Sequence, residues 1–198
     1  MTEKTLKIKK IVSKTSPSLQ ELTIRPEFSE SNEIIREYRE KSWKLYQSIP
    51  MPTEKDEDWR RTSLKTIDLA NLTLLNSDAF STTMFPKELK ASLADRQHGG
   101  QVLFSQTTVD RYLDAELAAR GVIFEDLTSA ADNHPELMKK LLNRLDLQPR
   151  KKFSTLAGAL AMTGVVLYVP RNVVVTSPLQ SLFWAPVEGI AHGSHVFV

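Results

Sequence analysis

Residues 164–175 read GVVLYVPRNVVV, the most apolar stretch of the chain and the richest in β-branched residues. The continuous apolar run 165–169 predicts a buried strand. Because Pro170 lacks a backbone N–H donor, the strand should end there. Three valines at 173–175 follow at once and predict a second strand. The stretch therefore indicates short strands joined by sharp corners.

Two further strands are predicted after this stretch, at 180–184 and at 195–198. Proline and asparagine separate the strands, and no hairpin dipeptide such as Asn-Gly lies between them. Such a sheet changes direction at corners instead of folding back in hairpins. Either a parallel β-helix or a small sandwich would satisfy the pattern. Residues before Gly164 have mostly helical patterns, so the fold class is predicted to be α+β.

The composition is that of an ordinary globular protein. Of its 198 residues, 41% are hydrophobic and 25% are charged, and the net charge of +2 does not by itself indicate a nucleic-acid or membrane partner. Because the sequence has no cysteine, disulfides and thiolate ligands are excluded for this chain. No apolar run is long enough to span a bilayer, so we expect a cytoplasmic protein.

Residues 1–30 are predicted to form a poorly ordered N-terminal arm and connector. Five lysines and one glutamate lie within 1–14, a composition compatible with a basic arm for anionic partners. Because this run lacks arginine and aromatic residues, a solvated terminus is the favoured interpretation.

The first predicted helix begins after Ser29 or Ser31, either of which can cap it, and ends near Ser48. Its apolar residues are spaced by three- and four-residue multiples and form one stripe. The stripe consists of Ile35, Tyr38, Leu45 and Ile49, with Trp43 beside it.

A short second helix is predicted over 53–61, where Thr53 can act as N-cap and Trp59 would anchor the helix to the core. Acidic side chains crowd its first turn, namely Glu54, Asp56, Glu57 and Asp58. A divalent-metal cluster is the functional alternative for these acids. Because consecutive residues of a helix point in different directions, solvated carboxylates that suit the helix dipole are favoured.

The remaining elements are predicted from periodicity and from turn residues. Strands are predicted near 72–75, at 102–104 and at 122–124, and the last two could pair in a minor sheet. Helices are predicted over 86–94 and over 135–147. Another helix is predicted over Val109, Leu113 and Leu117, with Gly121 as its C′ residue. A last helix is predicted over Phe153, Leu156 and Leu160 and should end at Gly164. These elements fill a mainly helical domain, 31–163.

Few residues have the spacing of a catalytic, metal or base-stacking site. The four histidines are His98, His134, His192 and His195, and the last two form an H-x-x-H pair, a spacing found in metal sites. Because no third ligand lies near them in the sequence, a turn or strand edge is the favoured interpretation. Phe183 and Trp184 could stack on nucleic-acid bases, but few cations accompany them and burial is favoured. No catalytic, cofactor-binding or metal-ligating residue is assigned.

Three motifs follow one another along the chain. The first is IPMPT at 49–53 with DWRRTSL at 58–64, the second is GVIF at 121–124 followed by Leu127 and Ala130, and the third is FSTLAGALAMTGVVLYVP at 153–170. In order and spacing, these motifs resemble the N-terminal part of the SufB/SufD family of iron–sulfur cluster assembly proteins, and the SufD branch in particular. The resemblance extends from about Ile34 to the last residue.

The resemblance implies a helical N-terminal region followed by a right-handed parallel β-helix, so that 164–198 would hold the start of a truncated β-helix. It also implies a non-catalytic scaffold subunit that works with a SufB-like subunit and a SufC-like ATPase. The wider complex would assemble the iron–sulfur cluster, and this chain would bind no cofactor. Because family members are much longer, the chain would be an N-terminal fragment, and its last strands, 180–198, are expected to self-associate or to be poorly ordered.

Two other functions remain open on the sequence alone. One is a stand-alone α+β protein-interaction module with no role in cluster chemistry. The other, less favoured, is a hydrolase-type enzyme that uses His192 or His195. Neither nucleic acid nor membrane is expected as a partner. A run of short β repeats encoded downstream would favour the scaffold over the interaction module.

Overall fold

The computed structural model describes residues 25–29, 32–62, 73–74, 98–104, 108–144, 151–184, 190–191 and 193–198. This part of the chain contains five α-helices and eight strands, which confirms the predicted α+β class. The helices are α1 (Glu33–Ser48), α2 (Ala115–Ala119), α3 (Leu127–Asn133), α4 (Pro135–Arg144) and α5 (Lys152–Ala159). The strands are β1 (Thr73–Leu74), β2 (Gly100–Phe104), β3 (Thr108–Leu113), β4 (Ile123–Asp126), β5 (Ala161–Tyr168), β6 (Leu179–Phe183), β7 (Ile190–Ala191) and β8 (Gly193–Phe197).

Helix α1 has the predicted extent but a different cap. The side chain of Asn32, and not Ser29 or Ser31, accepts hydrogen bonds from the amides of Ile34 at 3.1 Å and Ile35 at 3.3 Å. Asparagine suits this position because its carbonyl oxygen reaches the free amides of the first turn. The predicted stripe faces the core, with Leu45 half-buried and the others buried, namely Ile35, Tyr38, Trp43 and Ile49.

The predicted helix over 53–61 is wrong. Thr53 does meet Asp56, since its amide and hydroxyl donate to the Asp56 carboxylate at 2.6 and 3.1 Å, but only a single 3₁₀ turn follows, at Glu57–Trp59. A short segment made mostly of exposed polar residues has no apolar face to pack, and such a helix is marginal in water.

The predicted helix over Val109, Leu113 and Leu117 is also wrong. Residues 108–113 form strand β3, and α2 begins only after Asp114, whose carboxylate accepts from the amides of Glu116 and Leu117. A spacing of four residues places side chains on one side of a strand as well as on one face of a helix, so the spacing could not distinguish them. Gly121 ends the helical segment with a φ of 81°, as expected for a C′ glycine.

The described strands form three small sheets with the orders β1-β7, β3-β2-β6 and β4-β5-β8. The predicted strands at 102–104 and 122–124 exist, but they lie in different sheets and do not pair with each other. Instead β2 is antiparallel to β3, and β4 is antiparallel to β5.

Each sheet also contains one parallel pair whose second strand comes from the C-terminal part of the chain. Strand β6 lies parallel to β2, β7 to β1 and β8 to β5. The register places Gly100 opposite Leu179 and Val165 opposite Val196. The strands of 179–197 therefore lie on three strands that come from separate earlier segments.

Two expectations about the C-terminal part are corrected. Gly164 does not end a helix, because α5 ends at Ala159 and Gly164 lies inside β5. The run 173–175 is not a strand; it is an irregular segment that follows a turn at 171–172, where Asn172 has a φ of 66°, and Val174 is 65% exposed. An exposed run between Pro170 and Pro178 lacks the pairing and burial that hold a strand.

Other predictions are confirmed in part or lie outside the described residues. Strand β1 falls where 72–75 was predicted, α4 covers the described part of 135–147, and α5 matches the helix over Phe153 and Leu156. The helix over 86–94 and most of the arm 1–30 lie outside the described residues. The domain division at 163 and 164 stays a prediction. Within the described ranges, no helix is long and apolar enough to cross a membrane.

The core of the described part of the chain consists of three clusters, and α1 contributes to two of them. One packs α1 against α3, α4 and the β5–β8 pair, through residues that include Ile35, Leu127, Met138, Val166 and Phe197. The second packs the other half of α1 against α5 through Trp43, Tyr46, Leu156, Ala159 and Leu160. The third joins two sheets through Val102, Phe104, Phe124 and Val165. Helix α1 therefore contacts both the helical layer and the β5–β8 sheet.

Candidate functional site

A polar junction forms where α1, α5 and β8 meet, and it consists of Tyr38, Ser42, Gly158 and His195. The Tyr38 hydroxyl lies 2.8 Å from Nε2 of His195, within hydrogen-bond distance. The two rings are also in edge contact, with centroids 5.6 Å apart. One side chain from the first helix therefore holds one side chain of the last strand.

Gly158 lets α5 approach α1 closely at this junction. A Cβ atom at position 158 would lie 2.6 Å from Oγ of Ser42 and 2.9 Å from the hydroxyl of Tyr38. The Ser42 hydroxyl donates to the backbone carbonyl of Tyr38 at 2.8 Å and is fully buried. Because glycine has no side chain, the two polar groups of α1 can lie directly against α5.

The ionisation of the junction follows from burial. Burial raises the pKa of Tyr38 to about 12, an effect that a hydrogen bond with Ser42 partly offsets. Burial also lowers the pKa of His195 below 6.5, and a backbone hydrogen bond at Ser194 opposes this shift. Both side chains are therefore neutral at neutral pH, and their hydrogen bond joins two uncharged groups.

Two buried cations near the junction were not recognised in the sequence. Arg39 is 1% exposed; its Nε donates to the carbonyl of Ala159 at 2.9 Å, and its guanidinium lies over the ring of Phe28. Burial lowers the pKa of Arg39 to about 10. Lys152 is 2% exposed and donates to two carbonyl oxygens at the end of α1. The only available sequence signal for Arg39 is its position four residues after Ile35, on the apolar face.

The motif around Trp59 forms the edge of a cavity of about 550 Å³. Trp59 is half-buried, and its ring lies 5.2 Å from that of Phe153 at the start of α5. The neighbouring acids have local roles, because Asp56 accepts from Thr53 and Glu57 pairs with Arg60. Among the residues that the structure describes, no group of three His, Asp or Glu side chains could hold a metal ion.

The other residues singled out in the sequence are dispersed. His98 contacts Tyr112 edge-on at 6.0 Å, and Nε2 of His134 lies 3.8 Å from a Glu125 oxygen. His192 lies outside the described residues, so the H-x-x-H pair stays a hypothesis.

Phe183 and Trp184 are both half-buried. The ring of Phe183 stacks on Phe104 at 4.6 Å, nearly parallel to it. Because that face of Phe183 packs against Phe104, the contact favours packing over base stacking.

Comparison with known proteins decides the family. Residues 24–181 match the family model described as the SufBD protein N-terminal region. The chain belongs to the SufBD family. The predicted membership is thereby confirmed. The matched residues include the Trp59 motif and every residue of the polar junction except His195.

Several curated proteins that are similar to this SufBD chain are named as iron-sulfur cluster assembly proteins. It is 28% identical over 192 residues to the iron-sulfur cluster assembly protein SufD of Bacillus subtilis strain 168, covering 89% of this chain and 44% of that protein. It is 28% identical over 167 residues to an iron-sulfur cluster assembly SufBD family protein of Staphylococcus saprophyticus, covering 78% and 35%. A SufBD family protein of Staphylococcus aureus strain USA300 is 27% identical over 161 residues, covering 76% and 34%. The chain thus spans less than half the length of these relatives.

Proposed function

We propose that this SufBD family chain provides the N-terminal region of a SufD-like, non-catalytic scaffold subunit in cytoplasmic iron–sulfur cluster assembly. The observation that carries the proposal is the family match over 24–181, together with the similarity to a protein named SufD. The described side chains agree with a scaffold, since the polar side chains of the junction, and Nε of the nearby Arg39, bond to each other or to backbone carbonyls.

The proposed architecture includes the start of a right-handed parallel β-helix. Its support is the set of three parallel pairs, in which β6, β7 and β8 follow one another along the chain and each lies on a separate earlier strand. In a β-helix each strand of a coil lies parallel to a strand of the neighbouring coil, and each coil buries the apolar residues of its neighbour.

The proposed partners are a SufB-like subunit and a SufC-like ATPase, and the cluster itself would be the product of the whole complex. A chain without cysteine offers no thiolate to iron, so a direct cluster site on this chain is disfavoured chemically. The stand-alone interaction module is the less favoured alternative, because the family match connects the chain to cluster assembly.

A chimera tests the scaffold role. The chain would replace the aligned N-terminal region of the Bacillus subtilis SufD, which is 28% identical to it, in a strain that lacks its own copy. We expect the chimera to restore the activity of iron–sulfur enzymes and to co-purify with SufB-like and SufC-like subunits. A folded chimera that binds neither subunit and restores nothing would overturn the proposal.

Reconstitution tests separately whether this chain itself binds a cluster. The isolated 198-residue chain would be incubated anaerobically with iron and sulfide, desalted, and examined by visible spectroscopy. We expect no stoichiometric charge-transfer absorption, because the chain lacks thiolates. A band that persists after desalting would show that the chain itself holds a cluster.

A further inference from the structure

The contact between Tyr38 and His195 joins residues 157 positions apart in the sequence, and His195 lies in the middle of β8, an edge strand of the described sheets. We propose that this hydrogen bond is a proton-sensitive latch that couples strand β8 to helix α1. The proposal is independent of the assembly role, since it concerns only how the last described strand is held.

The Tyr38 side of the latch is fixed in place. Tyr38 is 7% exposed, and its hydroxyl lies against Gly158 of α5, where even one added Cβ would approach it to 2.9 Å. Ser42, one turn further along α1, is held by the backbone carbonyl of Tyr38. The hydroxyl therefore cannot follow His195 if β8 moves, so breaking the bond and displacing β8 are one event.

The His195 side belongs to a strand with one free edge among the described residues. Its ring contacts Phe197 edge-on at 5.6 Å, and Phe197 is buried in the core cluster, whereas Val196 between them is 61% exposed. Gly164 of β5 allows the closest approach, because a Cβ there would lie 2.6 Å from the carbonyl oxygen of His195. The imidazole of His195 therefore lies at the centre of β8, where the contact with Tyr38 adds to the pairing with β5 and the burial of Phe197.

The described contacts of His195 with α1 bring no carboxylate to the imidazole. Helix α1 presents Tyr38, and the cavity of about 350 Å³ beside that ring is lined by Glu37 and Lys41 of α1 and by Lys139 of α4. Lysines outnumber the carboxylate in this cavity. His195 does not line this cavity, so the Glu37 carboxylate in it is not a described partner of the imidazole.

The other two elements packed on β8 bring no carboxylate to His195 in the described contacts. Strand β5 presents Thr163, hydrogen-bonded to Ser194 at 2.9 Å, and Gly164. In α5, the ammonium group of Lys152 donates to the carbonyl oxygens of Tyr46 and Ile49. Lys152 is the first residue of α5, whereas Gly158 of the junction lies near its last. A proton on His195 would thus be buried without a negative partner, which is costly.

The direction of the switch follows from linkage. His195 in the closed latch binds a proton less readily than His195 released to solvent, whose pKa is near 6.5. The latch is therefore fully effective above that pH, and acidification below it favours release of β8. The Tyr38 hydroxyl does not titrate in this range, because its pKa is raised to about 12.

Amide hydrogen exchange of the whole 198-residue chain at about pH 8 and about pH 5, corrected for intrinsic rates, tests the latch without any substitution. We expect protection of the β8 amides to fall by about tenfold for each unit by which the histidine pKa is lowered, while the β2 amides change little. His195→Gln keeps a hydrogen-bonding group but cannot titrate, and its β8 protection should not depend on pH. His134→Gln is the matched control and should behave as the unchanged protein does.

Two results would overturn the proposal. One is equal β8 protection at both pH values in the unchanged chain. The other is the same pH-dependent loss in His195→Gln, which would assign the titration to another group. If His195→Gln fails to fold, the midpoint of the His195 proton resonance in the unchanged chain still decides the matter, since a midpoint at or above 6.5 contradicts the latch.

Discussion

The ammonium group of Lys152 lies 2.7 Å from the carbonyl oxygen of Tyr46 and 3.9 Å from the centre of its ring. The same nitrogen donates to the carbonyl of Ile49 at 2.6 Å. The last carbonyls of a helix lack partners within the helix, and a cation is favoured at this negative end. Lys152, the first residue of α5, therefore completes the end of α1 and joins the two helices.

Lys152→Met tests this connection. The substitution keeps most of the apolar stem of the side chain but removes the donor from two buried carbonyl oxygens, so we expect a loss of about 1–3 kcal/mol in the free energy of unfolding. Denaturant unfolding measures it. Lys151→Met is the matched control, because Lys151 is exposed and adjacent, and it should change stability by less than about 0.5 kcal/mol. Equal stability of both variants would show that Lys152 only fills space.

Gly158→Ala is expected to destabilise the protein although alanine favours helices. The new Cβ would lie 2.6 Å from Oγ of Ser42, and relieving such overlap costs about 1–3 kcal/mol, more than the propensity gain of about 1 kcal/mol. Thermal unfolding of the variant and of Gly158→Ala with Ser42→Ala measures this. Partial recovery in the double variant assigns the loss to the α1–α5 contact. Ser154→Ala, at an exposed position of the same helix, should be neutral or slightly stabilising.

Trp59→Ala tests the predicted anchor of the Thr53 segment. Because Trp59 is half-buried and packs on Phe153, truncation should cost about 1–3 kcal/mol, less than for a fully buried aromatic residue. Denaturant unfolding gives the value, and Phe153→Leu should reduce the further effect of the Trp59 substitution, since the two rings are partners. A negligible effect would leave Trp59 available for a binding role.

What could be predicted from the sequence is what depends on neighbours in the chain. Ile35, Tyr38 and Ile49 are spaced by multiples of three and four residues, so their burial on one side of α1 and at its C-cap follows from periodicity alone. The cap at Asn32 was missed by one residue, which is the usual precision of a helix boundary. The 108–113 strand was missed because its apolar spacing agrees with both periods.

The junction and the two buried cations near it could not be predicted, because their partners lie far apart in the sequence. Arg39 and Ala159 are 120 positions apart, and Lys152 and Tyr46 are 106 apart. A lysine or arginine is normally an exposed residue, and only the tertiary arrangement supplies the carbonyl oxygens that make burial tolerable. The family resemblance gave the identity of the chain without giving these contacts.

Self-association through β8 is the last prediction. In the described sheets β8 is an edge strand, paired with β5 on one side only, and Val196 is 61% exposed on it. An apolar edge strand tends to pair with another chain, and a lysine on the edge prevents this pairing. Light scattering over a dilution series should show association of the unchanged chain at high concentration and its loss in Val196→Lys. Val174→Lys is the matched control, because Val174 is 65% exposed but lies in an irregular segment outside the strands, so it should leave the association unchanged. Equal weakening by both substitutions would assign the effect to charge alone, and a monomer at every concentration would show that the β8 edge does not pair.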